Sequence, residues 1–388
     1  MHCFRKVTED LYWVGASDRR LELFENIFPL SDGVSYNSYL LMDEKTVLFD
    51  SADYAVGRQF IENIQAVLNG RPLDYLVVNH MEPDHCAMIE ELVLRYPQMQ
   101  LIGNAKTFPM IDQFFNFDLD GKKIIVKEGD TFSSGKHTLH FVMAPMVHWP
   151  EVMVTYDSKD KVLFSADAFG KFGALDVDED WACEARRYYF GIVGKYGVQA
   201  QALLKKAAGL DIQTICALHG PILKENLGYY LDLYNTWSSY GVESEGVVIA
   251  YTSVYGNTKK AVELLADKLT VLGCPKVTVT DLARDDMAEA VEDAFRYGKL
   301  VLATTTYNGD IFPFMKTFIE HLTERGYKNR TIGLIENGSW APTAAKTMLK
   351  MFEGSKNLTF TDTTVTIKSA VNAENEAQIA ALAEELCK

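Results

Sequence analysis

The six residues His80-Met81-Glu82-Pro83-Asp84-His85 put four potential metal ligands into one tight turn, directly after the apolar run Leu73-Asp74-Tyr75-Leu76-Val77-Val78. The run reads as a buried strand, so the turn falls at a strand end, where a rigid scaffold holds ligands in place. Positions 80, 82 and 84 offer one nitrogen and two carboxylates, and His85 adds a second imidazole. Crowded carboxylates repel one another, and a multivalent cation is the usual remedy. Three more polar residues stand downstream where apolar runs end: His148 after Leu139–Val147, Asp167 after Val162–Ala166, and His219 after Thr214–Leu218. One fold could bring them all to a single sheet edge.

A chain of 388 residues is expected to form two or three domains. Its 48% hydrophobic and 23% charged residues suit a globular protein with a sizeable core. A net charge of −15 and a pI near 5.0 argue against nucleic acid or an anionic membrane as partner. No run of 18 apolar residues marks a membrane span, and the start shows no secretory signal. The six cysteines are scattered without a C-x-x-C pair, which leaves no cysteine-ligated rubredoxin or iron–sulfur module and points to a reducing cytoplasm. Cys86, beside the ligand turn, reads as a small buried residue, and His2, His137, His140 and His321 as surface or packing residues.

The pattern changes near Gly241–Gly246, a short polar segment read as a linker between an amphipathic helix over 227–240 and the apolar run Val247–Tyr251. Beyond it, strands are expected at 247–251, 276–281, 299–304, 330–335 and 363–368. Helices alternate with them at 258–272, 286–297, 312–325, 341–353 and 373–387, the pattern of a parallel sheet covered on both faces. The first half is a mixed α/β layout. Short strands are expected at 11–15, 35–42, 45–50, 123–127, 138–143, 152–156 and 161–165, and helices at 54–69, 87–95, 107–115 and 197–208.

Three loops of the second half follow strands and suit a phosphate and a flat ring. Thr252-Ser253-Val254-Tyr255-Gly256-Asn257-Thr258 offers hydroxyls and backbone N–H groups before a helix N-terminus, a nest for a monophosphate. It is neither G-x-x-x-x-G-K-[ST] nor G-x-G-x-x-G. Thr304-Thr305-Thr306-Tyr307-Asn308-Gly309-Asp310 and Glu336-Asn337-Gly338-Ser339-Trp340 supply two aromatics for stacking and backbone groups for a ring edge.

The order His80-x-Glu82-x-Asp84-His85 … His148 … Asp167 … His219 resembles the metallo-β-lactamase fold, an αβ/βα sandwich with a two-metal site. Zinc hydrolases of that superfamily usually carry histidine where this chain has Glu82, a hard anionic oxygen that shifts the set toward iron. The pattern resembles the flavodiiron proteins, and the later loops resemble a flavodoxin-like doubly wound sheet of order 2-1-3-4-5 with FMN. The third loop departs from many relatives, being poorer in glycine and serine. The resemblance covers nearly the whole chain, as a metallo-β-lactamase-like diiron domain over 1–244 and a flavodoxin-like FMN domain over 246–388.

The resemblance implies that His80, Glu82 and His148 hold one iron, Asp84 and His219 the other, and Asp167 bridges them; it leaves coordination by His85 open. It implies that Thr252–Thr258, Thr305–Gly309 and Asn337–Trp340 contact FMN, and that electrons pass through FMN to the irons to reduce O2 to water, NO to N2O, or both. A separate donor such as rubredoxin and a head-to-tail homodimer or dimer of dimers are further expectations. Trp149 is expected to pack between the two cofactors, and Tyr196 to offer a hydroxyl near the open metal positions. Two rival readings are a zinc hydrolase fused to a flavodoxin and a plain electron carrier; Glu82 speaks against the first, and the complete ligand set against the second.

Overall fold

The computed structural model describes residues 3–388; His2 lies outside them. The chain divides into two compact units, one ending at Asn235 and one running Thr236–Lys388.

The first unit is built on two facing sheets. One has seven strands in the order Arg5–Lys6, Leu11–Trp13, Tyr39–Met42, Thr46–Phe49, Tyr75–Val77, Gln100–Asn104 and Lys123–Val126. The other runs Thr131–Ser133, Thr138–Met143, Met153–Asp157, Val162–Phe164 and Thr214–Cys216. Side chains alternate faces along a strand, so Tyr39, Leu41, Val47 and Phe49 of the first sheet meet Phe141, Met153 and Phe164 of the second. Phe49 and Phe164 stack with ring centroids 3.7 Å apart. Leu40, Leu48 and Leu76 on the opposite face are buried as well, so that face too is covered, as an αβ/βα sandwich requires.

A single strand over 35–42 is not what forms. Val34–Tyr36 pairs with Ala16–Asp18 in a separate hairpin, and Tyr39–Met42 joins the large sheet. The break falls at Asn37, whose backbone N–H donates to Leu218 O at 2.8 Å and whose side-chain amide donates to Ala217 O and Gly220 O. A buried polar side chain must be satisfied, and this one is satisfied by leaving the ladder. The strand Gln100–Asn104 and the helix Trp181–Tyr188, which continues into a π-turn at Tyr189–Val193, had no counterpart in the sequence reading. The strand is short, and the buried face of the helix includes Arg186 and Arg187, so apolar residues alone do not mark them.

The second unit holds a sheet in the order Val277–Asp281, Ser244–Tyr251, Tyr297–Tyr307, Arg330–Asn337 and Leu358–Ile367, every neighbouring pair parallel. This is the expected 2-1-3-4-5 order. Helices Asn257–Val271 and Ala373–Leu386 cover one face through Ala261, Leu265, Leu269, Ile379 and Leu382. Ser244 and Glu245, expected in a linker, belong to the first strand of this sheet.

Candidate metal centre and flavin groove

The seven candidate ligands of the first unit lie in segments that follow strands of the sandwich. His80 follows Tyr75–Val77, a parallel strand inside its sheet, and His219 follows Thr214–Cys216, the parallel strand at the edge of the other. Asp167 follows Val162–Phe164, and Glu82 precedes the one-turn helix Pro83–Cys86 that carries Asp84 and His85. Left-handed backbone at Asp50 (φ 55°), Met146 (φ 65°) and Ala166 (φ 51°) turns the chain where it leaves the strands near these ligands. Such angles are disfavoured for residues with a Cβ, and they persist where surrounding structure over-determines them.

The side chains converge as two groups, His80–Glu82–His148–Asp167 and Asp84–His85–His219, each with ligand atoms within 4.8 Å of one another. Asp167 faces both. Its Oδ2 lies 3.1 Å from His80 Nε2 and 3.2 Å from His148 Nε2, while its Oδ1 lies 3.2 Å from His85 Nε2 and 3.8 Å from His219 Nε2. Glu82 Oε2 is 3.0 Å from His148 Nε2, and Asp84 Oδ2 is 3.2 Å from His219 Nε2 and 3.3 Å from His85 Nε2. His80, His85, Asp167 and His219 are sealed from solvent, whereas Glu82, Asp84 and His148 keep 8–9% exposure, which puts the mouth of the site on their side.

Outer partners orient the imidazoles. His219 Nδ1 donates to Ser35 O at 2.7 Å, and a carbonyl can only accept, so Nε2 is left to face the cluster. His80 Nδ1 donates to Glu151 Oε1 at 2.8 Å, and the same oxygen accepts Met81 N–H at 2.8 Å. Asp50 accepts from the N–H groups of Asn79 and His80 and from the Asn79 side chain, pinning the start of the ligand turn.

Charge in the pocket is mutually compensating. Burial and the charges of Glu82 and Asp167 push Asp84 up to about 7, against the pull of His85 and His80. Burial opposes the charged form of His148, but the close carboxylates of Asp167 and Glu82 carry it up to about 9. Both oxygens of Asp84 and both of Asp167 are buried and receive no well-aligned hydrogen bond. Carboxylates that only approach imidazole nitrogens, in a mixed nitrogen and oxygen set around one shared acid, fit two cations of borderline hardness such as iron. Binding would displace the compensating protons.

Several residues around this site were missed from sequence. Glu151 lies three positions past His148, and its acidic type beside a ligand was the one available signal. Ser35 acts through its carbonyl, which no sequence pattern reveals. Glu25 sits at the tip of the hairpin Leu23–Phe24/Phe28–Pro29; burial and a hydrogen bond with Glu82 push its carboxyl up to about 7. The neighbouring Phe24 ring meets His219 edge-on at 5.4 Å. Tyr196 lies under the Lys195 ammonium at the start of helix Gly197–Ala207 and shows no contact with the cluster among the described residues. Two tyrosines do stand beside the cluster: Tyr36, with its ring 5.9 Å from His219, and Tyr188, with its ring 5.3 Å from His219 and a buried hydroxyl that has no partner. Trp149 is half-buried, edge-on to His80 at 5.4 Å. Of the other histidines, His137 is buried against Asp157, His140 packs on Tyr156, and His321 contacts Arg325. Cys86 is buried, its thiol donating to Met81 O at 3.2 Å.

In the second unit, a groove of about 810 Å³ opens at the carboxyl ends of the parallel strands, the switch-point position where open α/β sheets bind ligands. Ser253, Val254, Tyr255, Asn257 and Thr258 line it from the first loop, Thr305–Gly309 from the second, and Asn337–Trp340 from the third. Thr343 and Ser369 line it too, although neither stood out in the sequence. Thr252 and Gly256 do not line it. The Thr252 hydroxyl is spent on Thr304 at 2.7 Å, and Gly256 supplies a left-handed residue (φ 87°) ahead of helix Asn257–Val271. Ser253 Oγ accepts from Gly256 N–H and Lys259 N–H, and so shapes the nest. Asn308 and Gly309, both at positive φ, form the two-residue turn between paired Tyr307 and Asp310. The groove suits FMN on two counts. The hydroxyls of Thr258 and Thr305 are buried without partners, as a phosphate would require, and the rings of Tyr255 and Trp340 stand 93% and 91% exposed at its rim.

Comparisons with known proteins agree with this pair of folds. The family described as "ODP family beta lactamase" matches residues 34–220, and the one described as "Flavodoxin domain" matches 248–364. The chain is 29% identical to the anaerobic nitric oxide reductase flavorubredoxin of Escherichia coli over 353 residues, covering 86% of this chain and 72% of that one. It is also 29% identical over 323 residues to an uncharacterised protein of Methanocaldococcus jannaschii, covering 82% and 81%. Among solved structures, rubredoxin oxygen:oxidoreductase of Desulfovibrio gigas superposes with a TM-score of 0.92 at 24% identity, over 99% of this chain and 98% of that one. The flavodiiron protein of Giardia intestinalis superposes at 0.93 and 22% identity, over 100% and 97%. A metallo-β-lactamase-like domain followed by a flavodoxin domain, matched in that order along one chain, makes this protein a member of the flavodiiron family.

Proposed function

We propose that this protein is a flavodiiron oxidoreductase that takes electrons through FMN to a non-haem diiron site and reduces O2 to water, NO to N2O, or both. The observation that carries the reading is Asp167, whose two oxygens face separate ligand groups in a chain that also holds a flavin groove. In this reading residues 1–244 serve as the diiron domain and 246–388 as the FMN domain. His80, Glu82 and His148 would hold one iron and Asp84 and His219 the other with His85 beside them, and Asp167, facing both groups, would serve both. Bound there, FMN supplies one- and two-electron relay chemistry, and the iron pair supplies two reducing equivalents at adjacent metals.

The chain's own residues perform the rest. Glu151 and Ser35 hold His80 and His219 in the tautomer that presents Nε2. Phe24 and Tyr188 wall the His219 side and keep water from it. The Tyr188 hydroxyl takes the role expected of Tyr196, as a buried donor for a small polar ligand. At the mouth, burial and the neighbouring Glu82 carboxylate hold the Glu25 carboxyl up at about 7.

Rubredoxin or a protein of similar chemistry is the proposed donor, and a head-to-tail homodimer or dimer of dimers, working in the cytoplasm, the proposed assembly. No helix of the described residues is long and apolar enough to cross a membrane. The test is anaerobic purification with metal and flavin analysis, then side-by-side O2 and NO consumption by the reduced protein. Two irons and one FMN per chain with gas consumption are expected; two zinc ions with hydrolytic turnover would overturn the reading.

A further inference from the structure

The far end of the second unit carries two cysteines that the flavodiiron chemistry does not use. Cys274 lies in the turn after helix Asn257–Val271, and Cys387 is the C-cap of helix Ala373–Leu386. These helices lie side by side on one face of the sheet, sharing an apolar cluster that includes Leu265, Leu269, Leu382 and Leu386. Helices that both follow parallel strands point the same way, so their C-termini arrive together. Cys274 packs against the cluster that contains Leu386, and Cys274 and Cys387 line one small cavity with Lys299. The Cys274 thiol has only a weak partner, Lys276 O at 3.2 Å, and Cys387 is exposed.

We propose that Cys274 and Cys387 form a reversible intramolecular disulfide, a thiol-redox modification site of the flavodoxin-like unit whose oxidant is a low-molecular-weight disulfide, RSSR. Cys387, the accessible partner, attacks RSSR as its thiolate after losing a proton to water, giving a mixed disulfide and RS⁻. Cys274, deprotonated in turn, displaces the second RS⁻ and closes the protein disulfide. Both leaving thiolates recover the released protons, so two protein thiols are oxidised by two electrons while RSSR is reduced to two RSH.

Burial and the nearby Cys274 push the Cys387 thiol up, outweighing the pull of the Lys299 ammonium. The pair therefore exchanges slowly and answers to sustained oxidation more than to a brief pulse. Closure ties together two points separated by most of the unit's sequence, which restricts its unfolded chain. The same helix that ends near Cys274 begins at the phosphate nest, about 22 Å away for a 15-residue helix. Flavin retention is accordingly unaffected.

The test equilibrates the purified full-length protein with oxidised glutathione, alkylates free thiols under denaturing conditions, and maps peptides by mass spectrometry. The expected result is a 274–387 cross-link reversed by dithiothreitol, unchanged FMN content, and a higher melting temperature for the flavodoxin-like unit. C274S should leave Cys387 as a stable mixed disulfide with glutathione, and C387S should leave Cys274 unmodified. Separate glutathione adducts on Cys274 and Cys387 of the wild-type protein, a cross-link between two chains, or two free thiols at equilibrium would each overturn the proposal. The wild-type map needs no variant, so a misfolded mutant cannot mask the answer.

Discussion

Glu151→Gln isolates what the outer partner of His80 contributes. The substitution keeps volume and an acceptor oxygen but removes the charge behind two hydrogen bonds of 2.8 Å, to His80 Nδ1 and to Met81 N–H. A hydrogen bond to a charged acceptor contributes about 1.5–3 kcal/mol and a neutral one about 0.5–1.5. Neutralising Glu151 therefore removes on the order of 1 kcal/mol at each, or about 2 kcal/mol from the folded unit. The new amide N–H₂ replaces Oε2, which is buried without a partner, and so gains nothing in return. The His80 half of the loss also lowers imidazole basicity, and outer-partner changes of this kind weaken metal binding roughly 10–100-fold. The assay is anaerobic competition for iron against a graded chelator series, with the two groups distinguished spectroscopically. Iron of the His80–Glu82–His148 group should be released at correspondingly weaker chelation, ahead of iron at Asp84–His85–His219. A folded variant that holds iron as tightly as the wild type, or releases both groups together, would refute the reasoning.

Three other predictions follow from the same geometry. Asp167→Asn should take iron below one per chain, because its oxygens face both groups, whereas Asp84→Asn should empty only one; metal analysis of the two variants decides. Thr258→Val should weaken FMN binding by roughly 10–100-fold, read by fluorescence titration, yet leave the flavin-stripped unit no less stable in a thermal melt, because the lost hydroxyl has no protein partner. His137 supplies a pH signature. Burial disfavours its charged form, but hydrogen bonds to Asp157 and Asp10 outweigh both burial and the nearby Lys159 ammonium, so it is raised above its ordinary value. A raised histidine contributes stability that is fully present below its unfolded pKa of about 6.5 and is lost as pH rises through the folded value. His137→Gln should therefore cost more in urea unfolding at about pH 5.5 than at about pH 9, and an equal cost would contradict the assignment.

What could be read in advance was local. The alternation of apolar strands and amphipathic helices beyond residue 246 is set by side-chain period, and it specified a parallel sheet covered on both faces; the 2-1-3-4-5 order came with the resemblance to a flavodoxin-like sheet. The turn His80–His85 declared itself because six consecutive residues hold four ligand-type side chains, and Glu82 separated iron from zinc chemistry through its own oxygen. The three flavin loops were legible for the same reason, as runs of hydroxyl, amide and aromatic residues at strand ends.

Contacts distant in sequence were decided only by the tertiary structure. Ser35 and His219, or Glu25 and Glu82, meet only once hairpins and strands are stacked, and a backbone carbonyl leaves no trace in composition. Tyr188 stands beside the cluster and Tyr196 does not, because the helix Trp181–Tyr188 and the π-turn after it set which tyrosine points inward, and the buried face of that helix carries Arg186 and Arg187 among its apolar residues. Thr252 was read as a phosphate contact by its type, yet the fold pairs it with Thr304 and leaves Thr258 and Thr305 unpartnered. Residue type and spacing determined which chemistry the chain carries. Packing determined which atoms are left unsatisfied to perform it, because a buried polar group is free for a ligand only where the fold supplies no other partner.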